Sequence, residues 1–153
     1  MARSSLHVKK IDASPTCWMK MRDCYLLQIA AKVCISYELE GKNHEVTFLF
    51  EPGYRCDGLS VPRLFQKFLP RWDYCNRIYN WAGAIHDALY ANRGFGIFTR
   101  KQCDDIFRGI LRLSGISRFK AGCADKAVEW FAKKHWGDDK LGSAIFVTME
   151  DAA

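Results

Sequence analysis

Apolar and polar residues alternate over much of the first fifty positions, and this pattern predicts β-strands. Three stretches rich in aromatic and β-branched residues carry it: "CWMKMRD" at 17–23, "YLLQIAAKVCISYELE" at 25–40 and "HEVTFLFEPG" at 44–53. A period of two gives each strand one buried and one exposed face. The polar stretch "EGKNHE" at 40–45 is typical of a hairpin connection. We therefore expect an N-terminal antiparallel β-meander.

Beyond residue 73 the apolar spacing changes to three and four residues, which indicates amphipathic helices. A capping side chain and a glycine or polar stop delimit each of them. The three predicted helices run from a cap at Asp73 to about Asn92, from a T-x-x-Q capping box at Thr99 to near Gly115, and from Ser117 to Gly137. The tail "SAIFVTMEDAA" predicts a short strand.

Strands followed by helices predict an α+β fold. The first two helices, joined by the short segment "NRGFGIF" at 92–98, form an antiparallel pair. No polar linker interrupts the pattern, so we expect a single domain over 1–153. Its parts are β-rich over 1–62, helical over 63–137 and a short tail over 138–153.

The composition argues against several classes of protein. The 153 residues carry a formal net charge of +6, but the basic residues are dispersed and no sequence-specific nucleic-acid motif accompanies them. The apolar runs are strand-sized, which argues against a transmembrane segment, and the first ten residues do not resemble a secretory signal. We expect a cytoplasmic protein. Either a solvated surface or an anionic partner, namely phospholipid headgroups, nucleic acid or an acidic protein, accounts for the positive charge.

The first candidate site lies in the helical part. Successive residues turn by about 100°, so His86 lies about 80° from Ile78, at the edge of the apolar face. Asp87 lies near 180°, on the opposite side of the helix. The same count on the next helix places Asp104 beside the apolar stripe and Asp105 on the solvent side. Asp104 is therefore the aspartate that we expect to reach inward.

The short connection also places His86 and Asp104 at the same height. His86 lies about 9 Å before the connection and Asp104 about 7.5 Å beyond its end, at about 1.5 Å per residue. Because the two positions are level along the facing helices, we expect the side chains of His86 and Asp104 to contact each other. A carboxylate on one imidazole nitrogen fixes the tautomer and leaves the other nitrogen as a base.

The loop "EPGYRCDGLSVPR" at 51–63 is the second part of the candidate site. Its permissive and polar positions are Gly53, Asp57, Gly58 and Ser60. Gly83 removes a side chain where this loop can approach the helix, and Asp87 is then free to hold a divalent cation with loop carbonyls. For Asp57 and Ser60, a local turn hydrogen bond is the alternative to a role in the site.

Two short motifs resemble phospholipase A2 enzymes. "HDALY" at 86–90 matches their H-D-x-x-Y signature, and "QCDDIF" at 102–107 resembles their later C-D or A-D-x-x-F segment. The resemblance implies that His86 is a general base acting through water and that Asp104 orients it, with Tyr90 as a supporting hydroxyl. It also implies that Asp87 binds Ca²⁺ or another divalent cation and that the substrate is a phospholipid or another anionic ester.

A longer pattern resembles a family of small uncharacterised phage and bacterial proteins. It comprises "CDGLSVPR" at 56–63, "AGAIHDALY" at 82–90 and "CDDIF" at 103–107, and the resemblance covers roughly residues 45–130. It implies a phage or prophage origin and a site role for Asp57, but it assigns no activity. A phage protein of this kind would act in the host cytoplasm or in the virion.

Two functions therefore remain open. The first is a phospholipase A2-like hydrolase of esters or phosphoesters. The second is a non-enzymatic phage protein that binds a host, anti-phage defence or virion component, in which the motif residues brace the loop.

Overall fold

The largest sheet comes from the alternating N-terminal pattern. The computed structural model describes residues 5–59, 63–131, 133–139 and 143–151. Four antiparallel strands form this sheet in the order β1-β4-β5-β7, namely β1 His7–Ala13, β4 Ala31–Leu39, β5 Lys42–Phe50 and β7 Val147–Asp151. The predicted C-terminal strand is thus present. In β4 the buried and less buried positions alternate, with Val33, Ile35 and Tyr37 on the buried face.

The predicted hairpin connects β4 to β5. Leu39 pairs with Lys42, and the two residues between them, Glu40 and Gly41, both have positive φ values, of 54° and 75°. Two such residues match the right-handed twist of the flanking strands, which is why glycine suits this turn. The "EGKNHE" prediction is confirmed.

A second, smaller sheet was not foreseen. The stretch at 25–40 contains two strands instead of one. Its first part pairs with neighbours in a three-stranded antiparallel sheet of order β2-β3-β6, made of β2 Trp18–Lys20, β3 Tyr25–Leu27 and β6 Arg55–Cys56. The first strand of the main sheet, β1, also lies before the first predicted stretch.

Three α-helices lie between β6 and β7 in the described residues, and they confirm the α+β prediction: α1 Arg77–Ala91, α2 Arg100–Leu113 and α3 Arg118–Phe131. Helix α1 begins later than predicted. Its cap is Asn76, whose side chain accepts a hydrogen bond from the Tyr79 N–H, whereas Asp73 bonds to the Cys75 N–H in the preceding turn.

The predicted start of α2 is confirmed, whereas the predicted end of α3 differs from the observed one. Helix α2 begins with the expected capping box, in which Thr99 and Gln102 bond to each other's backbone N–H groups. Helix α3 is described over Arg118–Phe131, and a 3₁₀ helix, Lys133–His135, replaces it before the predicted stop at Gly137. Among the described residues, no helix is long and apolar enough to cross a membrane.

The helices pack on the buried face of the large sheet. Phe50 of β5 contacts Trp81 of α1 at 4.8 Å between ring centroids, and the turn after α1 places Phe98 against Tyr37 at 5.5 Å. Helix α2 lies directly against β1, since a Cβ at Gly109 would approach Val8 to 2.8 Å. Helices α1 and α2 therefore both pack on the large sheet and against each other, and the candidate site forms around α1.

Candidate functional site

Two facing helices bring His86, Tyr90 and Asp104 together. Asp104 Oδ1 lies 3.0 Å from His86 Nε2 and accepts a hydrogen bond of 2.7 Å from the Tyr90 hydroxyl. The antiparallel arrangement is visible at the other end of the pair, where Asn76 before α1 bonds to the carbonyl of Ser114 after α2. The predicted contact between His86 and Asp104 is therefore confirmed.

This His86–Tyr90–Asp104 group is more buried than the helical count suggested. His86 was expected at the half-buried edge of the apolar face, yet it is 4% exposed, as are Tyr90 and Asp104. The imidazole packs against Tyr90 at 4.2 Å and against Phe107 of α2 at 4.8 Å between ring centroids. The second helix covers the edge that a single-helix projection leaves open.

The hydrogen bonds of Asp104 determine which nitrogen of His86 can act as a base. A neutral imidazole donates from one nitrogen and accepts with the other. A carboxylate oxygen next to Nε2 favours the tautomer with the proton on Nε2, so Nδ1 carries the free lone pair. Burial, and then the hydrogen bond to Asp104, raise the pKa of Tyr90. Tyr90 therefore stays a hydroxyl donor.

Asp105, which we expected on the solvent side, is buried, and that prediction is wrong. Only 2% of the residue is exposed. Its Oδ2 accepts a hydrogen bond of 3.2 Å from the backbone N–H of Leu6, and its Oδ1 pairs with Lys101. The reason is that β1 and Leu6, the residue before it, pack on a side of α2 that α1 does not cover, so both flanks of the helix are buried.

Asp87 points away from His86, as predicted, and meets the loop instead of solvent. Its Oδ2 accepts a hydrogen bond of 3.3 Å from the backbone N–H of Asp57. Burial, and then the nearby Asp57 carboxylate, raise the pKa of Asp87 well above its ordinary value. Oδ1 of Asp57 is itself buried and has no hydrogen-bond partner among the described residues. The two aspartates thus form a close acidic pair where the loop meets α1.

Two glycines allow the loop to lie directly on α1. A Cβ at Gly83 would come within 2.8 Å of the backbone carbon of Gly58, as the predicted approach of the loop requires. Gly58 has φ of 78°, and a Cβ there would collide with the carbonyl oxygen of Arg71. Ser60, the other predicted loop residue, lies outside the described residues.

Two residues of this region carried no recognisable sequence signal. Arg71 donates hydrogen bonds of 3.0 and 2.6 Å to the carbonyl oxygen of Asp57. Tyr54, fully buried, donates a hydrogen bond of 2.5 Å to the carbonyl oxygen of Ala84 in α1. Both bind backbone oxygens over long sequence separations, and no spacing rule predicts such contacts.

Residues 31–128 match the model of a family described as "Protein of unknown function (DUF1353)". The chain belongs to this family. The match spans the large sheet's central strands, the loop, both helices of the candidate site and most of α3. No curated protein and no solved structure shows significant similarity to the chain.

Among the described residues of this DUF1353 protein, we consider Asp57 and Asp87 as the candidates for binding a cation. The buried, unpartnered Oδ1 of Asp57 is a group that a cation would satisfy. However, Asp87 Oδ2 already accepts a hydrogen bond. No group of three or more His, Cys, Asp or Glu side chains in the described ranges is arranged to hold a metal. Since Ca²⁺ takes about six to eight oxygen ligands, these residues alone do not fit a calcium site, and the cation stays a prediction.

Proposed function

We propose that this protein is a hydrolase in which His86 activates water for attack on an ester. The observation that supports this function best is the hydrogen bond between Asp104 Oδ1 and His86 Nε2, at 3.0 Å. It orients the imidazole and leaves Nδ1 to accept a proton. Tyr90 holds the same carboxylate oxygen and keeps it in place.

The reaction follows from these roles. Nδ1 of His86 takes a proton from water, and the water oxygen forms a bond with the ester carbonyl carbon. Asp104 stabilises the imidazolium that results. When the carbon–oxygen bond to the leaving group breaks, the proton passes from Nδ1 to the leaving alkoxide. Because only 4% of His86 is exposed, the neighbouring side chains must move to admit the substrate.

The substrate class that we propose is a phospholipid ester, in line with the phospholipase A2 resemblance of "HDALY" and "QCDDIF". Another anionic ester or phosphoester would use the same base. Measuring hydrolysis on phospholipid vesicles and on a soluble short-chain ester, each with and without Ca²⁺, separates these substrates and tests the cation prediction.

The first prediction concerns His86. His86→Ala lowers kcat/KM for the hydrolysed ester by about 10²- to 10⁴-fold, because the base is lost. His86→Gln retains a donor toward Asp104, so it separates the loss of the base from a loss of folding. His135→Ala, at a partly exposed histidine far along the chain, is the matched control. Equal rates for the wild type and His86→Ala would exclude the proposed mechanism.

A non-enzymatic role is the second candidate, and burial favours it. Side chains that are each 4% exposed form the kind of hydrogen-bond network that braces packed helices. The protein would then be a phage protein that binds a host, anti-phage defence or virion component, in the host cytoplasm or in the virion. Under this function His86→Ala lowers the melting temperature, and the wild type hydrolyses no ester. A pull-down from host lysate that recovers no specific partner would count against it.

A further inference from the structure

We propose that a docking surface formed by Arg63, Leu64, Lys67 and Phe68 binds the surface of an anionic phospholipid bilayer. The choice of lipid rests on the proposed function, and the inference adds where and how the protein would meet its substrate. Three features of the segment 63–71 support the proposal: its exposure, its attachment to the candidate site and its charge.

Apolar side chains of this segment are turned toward solvent. Leu64 is 79% and Phe68 41% exposed. The backbone here forms helical turns, with a hydrogen bond of 3.0 Å from the Leu69 N–H to the Phe65 carbonyl oxygen. The first of these turns is a 3₁₀ helix, Arg63–Phe65. Leu64 and Phe68 are thus two exposed apolar side chains within five residues, and the residue directly before each of them, Arg63 and Lys67, is an exposed basic one.

The end of the segment is attached to the candidate site. Leu69 is fully buried, and the carbonyl oxygen of Arg71 accepts a hydrogen bond of 2.9 Å from the Leu59 N–H. The Arg71 guanidinium holds the carbonyl oxygen of Asp57. The segment thus enters the core immediately after the docking surface, and a bilayer bound there would lie next to the loop that contacts α1.

The charge of the segment selects an anionic partner. Residues 58–72 contain three basic residues and no acidic residue, and the whole chain carries +6. Each basic residue near an anionic membrane increases binding about fivefold. Two apolar side chains flanked by basic ones suit insertion at the headgroup boundary of a bilayer. A stable protein interface needs about 800 Å² of each partner, which is more surface than two apolar side chains provide.

The test is sedimentation of the protein with vesicles of phosphatidylcholine alone and with added phosphatidylglycerol. We expect binding that rises with phosphatidylglycerol and falls with salt. Leu64→Asp weakens it at least about tenfold, and Lys67→Glu at least about fivefold. The matched controls leave binding unchanged: Phe119→Asp, at an aromatic side chain 78% exposed on α3, and Lys42→Glu, at the exposed hairpin.

Three results would overturn the proposal. They are an absence of binding to phosphatidylglycerol vesicles, equal binding by the wild type and both docking-surface variants, and a Leu64→Asp change that alters oligomeric state but not vesicle binding. The last would identify the surface as a contact between copies of the chain.

The failure of this inference can be told from failure of the proposed function. Vesicle binding that persists while no ester is hydrolysed supports the docking surface and overturns the hydrolase. Hydrolysis of a soluble short-chain ester without vesicle binding overturns the docking surface and supports the hydrolase.

Discussion

At the scale of single residues, one carboxylate oxygen joins the two helices of the candidate site. Oδ1 of Asp104 interacts with both His86 and Tyr90 in a buried position. Leaving such an acceptor without a partner costs about 1–3 kcal/mol of stability. The network therefore stabilises the fold whether or not His86 is catalytic. Only a rate, and not a melting temperature alone, distinguishes the two functions.

Asp87→Asn is predicted to stabilise the protein at alkaline pH. The pKa of Asp87 is raised in the folded state by burial and by Asp57, so folding favours the protonated side chain. The stability that this proton contributes is complete below an unfolded pKa of about 4 and is lost as the pH rises through the folded pKa. Asparagine cannot lose the proton, and its amide can donate to the unpartnered Oδ1 of Asp57.

Thermal melts between pH 4 and pH 9 measure this effect. We expect the variant to gain on the wild type as the pH rises, reaching about 1 kcal/mol, or about 2–4 °C in Tm. Asp12→Asn, at an exposed side chain paired with Lys10, is the control and shows no such trend. A variant that melts below the wild type at pH 8 would contradict the inferred protonation of Asp87.

At the scale of elements, the close approach of the loop to α1 depends on Gly83. Glycine to alanine within a helix normally stabilises by up to about 1 kcal/mol. Here the new Cβ would lie 2.8 and 2.9 Å from backbone atoms of Gly58, and backbone cannot rotate away. Gly83→Ala is therefore expected to destabilise the protein by about 1–3 kcal/mol, as measured by urea unfolding.

Gly122 in α3 provides the matched control, because within the described residues no atom from outside its own helical turn lies within 4 Å of a Cβ placed there. Gly122→Ala should raise the free energy of unfolding by about 0.5–1 kcal/mol. If both alanine variants stabilise the protein alike, the loop does not lie against α1 as described.

Single elements were predicted well where their signals are local. The capping box of Thr99 and the hairpin at 40–45 depend on residues three or fewer positions apart, and both are confirmed. The cap of α1 was misplaced because Asp73 and Asn76 are both good capping residues. Asp73 makes its bond in a turn before the helix, and only Asn76 caps it.

At the scale of the whole molecule, β7 brings the C-terminal part of the chain onto the N-terminal sheet. It pairs with β5 from Val46–Asp151 to Phe50–Val147. A chain ending at Phe146 loses this ladder and the burial of Val147, and it exposes the edge of β5. We expect a loss of about 2–4 kcal/mol, or about 4–16 °C in Tm.

The shortened chain should also aggregate on heating, because an unpaired strand edge can join another chain. Differential scanning calorimetry with light scattering measures both effects. A chain ending at Asp151, which retains β7, is the control. Equal melting of the two truncated chains would show that β7 contributes little to stability.

By itself, the sequence determined the α+β class, most strands and helices of the described ranges and the contact between His86 and Asp104. These features follow from periodicity, caps and a short connection, which act over a few residues. Only the tertiary structure decided that β1 buries Asp105, that α2 encloses His86 and that Asp57 meets Asp87. The physical reason is that an element's own periodicity shows which face is apolar, whereas burial of a polar side chain depends on every element packed around it.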